Sequence, residues 1–156
     1  MKKMKPVCVS IFDGKLMKSF YLLDFISEEA MLEASIKFLM VRKYKNYRIN
    51  LHNFSYFDAV FLLNVLSNLA TKIKPIIRDN QIIDLKFYFE NNENNETNSL
   101  YTLYFRDSYL LLPSSLDKLA KSFNTVPKGI FPYKFINNPL IKLDHELPKG
   151  VGTFLR

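Results

Sequence analysis

Tryptophan is absent from the 156 residues, and cysteine occurs once, as Cys8. One thiol excludes a disulfide framework and any cysteine-built metal site, and it fits a reducing compartment. Cys8 lies in an apolar run, where a thiol is expected to be buried and inert. Glycine is scarce. The chain has no glycine-rich phosphate loop, no His-Glu-x-x-His helix and no nucleophile elbow. No stretch of about 18 apolar residues is without charge, so no membrane span is expected. Residues 1–6 are basic but run straight into a strand-like segment. They lack the small-residue cleavage site of a secretory signal.

Acids are the minority charge, 15 against 22 basic residues, for a net +7. That balance suits an anionic partner. Hydrophobic residues make up 48%, enough for a packed core and too many for disorder. The length fits one domain of about 150 residues. Lys, Asn, Ile, Phe and Tyr are plentiful; their codons are AT-rich, as in organellar genomes.

Residues 6–12 and 16–23 are strand-like and flank Asp13-Gly14-Lys15, a hairpin signal. Ser27 is placed to cap a helix, with Glu28 and Glu29 in its first turn. Apolar periodicity carries that helix to about Lys43. Residues 47–51 form a short strand, and a second helix is expected from Ser55 to Leu69. Residues 73–77 and 82–89 are strands about an Asp79-Asn80 turn, and residues 100–105 form another strand. The polar tract 90–98 cannot bury enough area to offset its ordering entropy, so it is expected as the tip of a long hairpin. Residues 115–123 return as a helix. Beyond Thr125, recurrent Pro and Gly predict an extended tail. Strand pairs and intervening helices predict an α/β sheet with flanking helices.

Three stretches carry candidate chemistry. The first runs from Leu51 through His52, Asn53 and Phe57 to Asp58, where a strand ends and a helix begins. Strand ends are usual sites in α/β sheets. Asp58 there could hold a divalent cation, with Asn53 orienting a ligand. Ser55 to Asp58 equally fits a capping box in which Asp58 serves only the backbone. In the second stretch, Arg106 could meet a phosphate and Tyr109 could stack on a base; an ordinary strand-to-helix junction explains the same residues. In the third, residues 127–135, lysines alternate with aromatic residues. That pattern suits single-stranded nucleic acid, or a solvated loop with aromatic anchors.

Together, in this order, the three stretches resemble the exonuclease region of protein-primed family B DNA polymerases. These are the organellar and viral type found on linear mitochondrial plasmids. The resemblance covers residues 6–139. His52-Asn53-x-x-x-Phe57-Asp58 is similar to the family's second exonuclease motif. The resemblance implies that Asp58 is a metal-binding carboxylate, and that Asn53 and Phe57 help hold a single-stranded 3′ end. Residues 105–123 resemble the segment between the second and third motifs, with Ser108 as the serine implicated in holding single-stranded DNA. Residues 128–133 match as well, and Lys134 falls near the family's catalytic-site lysine.

The resemblance implies a truncated ribonuclease-H-like fold over residues 1–139, with residues 140–156 as a tail. It implies DNA as partner, Mg²⁺ or Mn²⁺ as cofactor in the parent enzyme, and a mitochondrial setting. The departures are specific. The family's first motif, an Asp-x-Glu pair, would precede Pro6, and the residues there contain no acid. Residues 140–156 contain Asp144 and Glu146 but no Tyr-x-x-x-Asp, and the polymerase palm motifs are absent. Two-metal chemistry needs several carboxylates, so the chain alone is expected to be catalytically silent. The alternative is a non-catalytic single-stranded DNA binder, or a module that assembles with separately encoded polymerase segments.

Overall fold

A computed structural model describes residues 5–56, 58–90 and 100–125. The chain divides into two compact units, Met1–Pro113 and Ser114–Arg156. The expected boundary between residues 139 and 140, the tract 91–98 and the whole third stretch lie outside the described residues.

The first unit opens with a hairpin, β1 (Cys8–Phe12) and β2 (Met17–Tyr21). Its turn forms as expected, and the cause is visible. The Asp13 carboxylate accepts the backbone N–H groups of Lys15 and Leu16, at 3.0 and 2.7 Å. Gly14 takes the left-handed conformation, φ +95°, that a side chain would disfavour. The same carboxylate receives Lys43 Nζ and the Tyr44 hydroxyl. These contacts hold its pKa well below the usual range, the Lys43 hydrogen bond contributing most. Cys8 is half-buried rather than buried.

Helix α1 (Glu28–Leu39) is capped by Ser27, whose hydroxyl accepts from Ala30 N at 3.1 Å. It stops about four residues short of expectation. Val41 goes extended, and Tyr44, in a short 3₁₀ turn, buries its ring and sends its hydroxyl to Asp13. A tertiary contact thus ends a helix that local periodicity would have continued.

The main sheet has the order β3-β6-β5-β4. It is built from β3 (Arg48–Leu51), β4 (Lys72–Arg78), β5 (Gln81–Glu90) and β6 (Leu100–Asp107). β3 runs parallel to β6, and the β4-β5-β6 pairs are antiparallel. Asp79 and Asn80 both take positive φ in the two-residue β4–β5 turn, as the hairpin twist requires. Helix α2 (Asp58–Leu69) lies between β3 and β4 in the chain.

Strand alternation sets the core. Leu85, Phe87 and Phe89 of β5 lie opposite Phe105, Leu103 and Tyr101 of β6, and all six are buried. Met31, Leu32, Ile36 and Leu39 of α1 join Ala59, Leu62, Val65 and Leu66 of α2 in the same cluster. The mixed α/β architecture agrees with the sequence reading. The second unit contributes α3 (Leu116–Ser122), capped by the Ser115 hydroxyl accepting from Lys118 N at 3.3 Å.

Phe87 is fully buried in the centre of the sheet. Phe87→Ala is expected to cost about 3–5 kcal/mol in urea unfolding of the full chain. Val60→Ala, at an exposed helix position, is expected to change stability by less than about 0.5 kcal/mol.

Candidate functional site

Parallel pairing brings the ends of β3 and β6 together, with Leu51 beside Asp107. The chain leaves β3 through a turn at residues 52–56 before α2. It leaves β6 through a 3₁₀ turn, Ser108–Leu110. These two exits form the candidate site, and Asp107 joins them.

Asp107 continues the alternation Tyr101, Leu103, Phe105, so its carboxylate points to the core side and is only 2% exposed. A buried carboxylate is tolerated when its oxygens are saturated by donors. Here Oδ1 accepts Asn53 N at 3.0 Å and Tyr109 N at 2.9 Å, and Oδ2 accepts Ser55 N at 2.9 Å. Burial by itself pushes this carboxyl up. The bonds from Ser55, Tyr109 and Asn53 together outweigh burial and hold its pKa below the ordinary value.

The consequences run through the turn. Asn53 adopts φ +66°, a left-handed conformation that asparagine accepts. Phe54 is driven fully into the core. Ser55 sends its hydroxyl to Ile82 O at 2.7 Å, so the expected capping serine serves the sheet. Helix α2 is assigned from Asp58, three residues later than expected. The acceptor that organises this junction comes from β6, fifty-odd residues away in the chain.

Several of the residues proposed from sequence meet here. Ser108 Oγ donates to Leu51 O and lies 3.2 Å from His52 Nδ1. Tyr109 stacks edge-on against His52, with ring centroids 5.5 Å apart. Asn53 presents an amide whose buried Oδ1 has no partner among the described residues. Asp58 is half-buried in the first turn of α2. Its pKa is raised, first by burial and then by the charge of Asp107.

Arg106 does not join them. It lies on the opposite sheet face beside Asp84 and bonds Asp84 Oδ2 through Nε at 2.7 Å. Phe57 and Lys134 lie outside the described residues. Asp107 was missed by the sequence reading. The available signal was its place in the buried register of an alternating strand.

A divalent cation does not fit these residues alone. Mg²⁺ sites draw on carboxylates and waters in an octahedron. Among the described residues no three acidic, histidine or cysteine side chains gather as ligands. Asp107 is committed to backbone N–H groups, so among the described residues of this junction Asp58 is the remaining carboxylate.

The fold and junction define an α/β unit with a polar site at parallel strand ends. Residues 38–149 match the family described as DNA polymerase type B, organellar and viral. The chain is 41% identical over 143 residues to a probable DNA polymerase of Neurospora intermedia, covering 91% of this chain and 14% of that protein. It is 36% identical over 141 residues to a probable DNA polymerase of Ascobolus immersus, covering 90% of this chain and 11% of that one. No solved structure matches. The chain belongs to the organellar and viral type B DNA polymerase family and spans about a seventh or less of the length of these relatives.

The two aspartates give opposite pH signatures. The depressed pKa of Asp107 stabilises the fold above the unfolded value of about 3.9, and this is lost as pH falls through the folded value. Asp107→Asn turns an amide toward donors that need acceptors and is expected to cost about 3 kcal/mol at pH 7. Asp58 has the reverse sign, since its ionised form is penalised in the folded state. Asp58→Asn is expected to raise the urea midpoint at pH 7, with the gain vanishing near pH 3. A midpoint unchanged or lowered at pH 7 contradicts this assignment.

Proposed function

We propose that residues 1–139 form part of the 3′→5′ exonuclease region of a family B DNA polymerase, in a ribonuclease-H-like arrangement that other segments complete. The parent activity is DNA synthesis with proofreading, in a mitochondrial or plasmid setting. The observation that carries this reading is the meeting of Asn53, Asp58, Ser108 and Tyr109 at the paired exits of β3 and β6.

At such a junction Tyr109 offers a ring for a terminal base and Ser108 a hydroxyl for sugar or phosphate. Asn53 belongs to this reading through its place in the turn; its Oδ1 is buried without a partner among the described residues and would reach a strand end only if the side chain turned outward. Asp58 would supply one ligand of a Mg²⁺ or Mn²⁺ centre, whose remaining carboxylates would have to come from elsewhere in the polymerase. Burial and the charge of Asp107 raise its pKa, a penalty on the ionised form that a bound cation would offset. Phe57 and Lys134 belong to this reading through the motif resemblance alone.

A second reading, a non-catalytic single-stranded DNA binder, is favoured by the other sheet face. There Lys74 lies opposite Lys86, a repulsive pairing without an anion. Each ammonium also sits near a tyrosine ring, Lys74 at 6.0 Å from Tyr88 and Lys86 at 5.9 Å from Tyr104.

The test is fluorescence anisotropy with a labelled single-stranded oligonucleotide. Affinity is expected to fall about tenfold between about 50 and about 200 mM salt. Tyr109→Ala is expected to weaken it by a further factor of about five or more, through lost stacking. An effect confined to the Lys74→Glu, Lys86→Glu pair supports the second reading, and no binding at low salt ends both. With Mg²⁺ the isolated chain is expected to leave the oligonucleotide intact. Degradation that Asp58→Ala abolishes would contradict the assignment of missing carboxylates.

A further inference from the structure

One face of the main sheet is buried, and the other is cationic. Register aligns the side chains of that second face in rows that cross the strands. One row is Arg48 of β3, Tyr104 of β6, Lys86 of β5 and Lys74 of β4. The next is Thr102, Tyr88 and Lys72. Arg48, Lys72 and Lys74 are exposed, and Lys86 is half-buried. Neither row contains an acid.

The row nearer the strand exits differs, because Arg106 there is closed on Asp84 at 2.7 Å. The four other cations therefore form a band that starts one row back from the exits. From β3 to β4 it spans three strand spacings, about 14 Å. None of the four forms an ion pair among the described residues. Lys74 and Lys86 lie directly opposite one another, an arrangement that repels until an anion is present. Each sits beside a ring, Lys74 6.0 Å from Tyr88 and Lys86 5.9 Å from Tyr104. A ring attracts an ammonium without neutralising it, so the band keeps its charge.

We propose that this band is a second DNA contact, a track for the interior of a single strand, separate from the site at the strand exits. Unneutralised cations in a line complement a chain of phosphates. A strand crossing β3, β6, β5 and β4 in turn meets Arg48, Lys86 and Lys74 with its phosphates, and Lys72 beside the last. Tyr104 and Tyr88 offer ring faces along the same path. Such contacts read backbone and ring rather than base edges, so they are independent of sequence. They also require neither a metal nor a 3′ terminus. The proposal rests on the sheet face of the second reading above and goes beyond it: face and exits become two contacts of one chain, for different parts of a strand.

A closed single-stranded DNA circle, which has no 3′ end, separates the two contacts. Its binding to the full chain is followed by fluorescence anisotropy at about 50 mM salt. The circle is expected to bind, and Arg48→Glu and Lys86→Glu are each expected to weaken it about fivefold or more. Lys86→Glu also gives Lys74 an opposite charge across the strands, so the fold is not endangered. Lys86→Gln, which only removes charge, is expected to weaken binding about threefold and to make the salt dependence shallower. Lys37→Glu controls for net charge, since Lys37 is exposed on α1, which packs on the buried side. That variant and Tyr109→Ala are each expected to change the affinity for the circle by less than about twofold. No binding of the circle, or weakening by Lys37→Glu or Tyr109→Ala as large as by Lys86→Glu, overturns the proposal. A linear strand that binds where the circle does not also overturns it and leaves the second reading standing; loss of both ends both.

Discussion

One buried carboxylate organises the functional end of this unit. Asp107 sits where hydrophobic alternation would place an apolar side chain, and it survives there because three backbone N–H groups converge on it. The turn after β3 must pass within hydrogen-bonding reach of the end of β6. That requirement imposes the left-handed Asn53, drives Phe54 inward and delays the start of α2. Without Asp107 the same sequence has a ready local alternative, a helix beginning directly at Ser55. The cost of burying a charge thus secures a loop geometry that propensity would not select.

The electrostatic result is a division of labour between two aspartates. Asp107 is ionised and saturated, so it is structural. Asp58, half-buried and within its field, is held at a raised pKa. Perturbed carboxyls of this kind cluster at functional sites, which is why Asp58 is the metal-ligand candidate of the proposed function. Beside it, Asn53 Oδ1 is buried without a hydrogen-bond partner among the described residues.

Much of the fold was legible because its signals are local. Asp13-Gly14 and Asp79-Asn80 encode their turns through residues that tolerate positive φ, and Ser27 caps α1 within three residues. The strands β5 and β6 were legible as strands, and their alternation places Leu85, Phe87 and Phe89 opposite Phe105, Leu103 and Tyr101 in the core. What escaped reading depends on distant partners. The early end of α1 follows from Tyr44 reaching Asp13, thirty-one residues away. The delayed start of α2 follows from Asp107. The opposite fates of the adjacent residues Arg106 and Asp107 follow from strand pairing, which puts one beside Asp84 and the other in the core. The motif around His52 to Asp58 located the candidate site, while the residue that builds it lay in another stretch.

Asp107 holds the two strand exits together. Site-resolved amide hydrogen exchange on the full chain tests it most directly. The amides of Asn53, Ser55 and Tyr109 are predicted to be protected in the wild type although they lie in turns. In Asp107→Asn all three are predicted to lose that protection together, while Phe87 and Leu103 at the sheet centre exchange only as fast as the lowered global stability allows. Wild-type exchange at these three amides as fast as that of an ordinary surface turn would contradict the account.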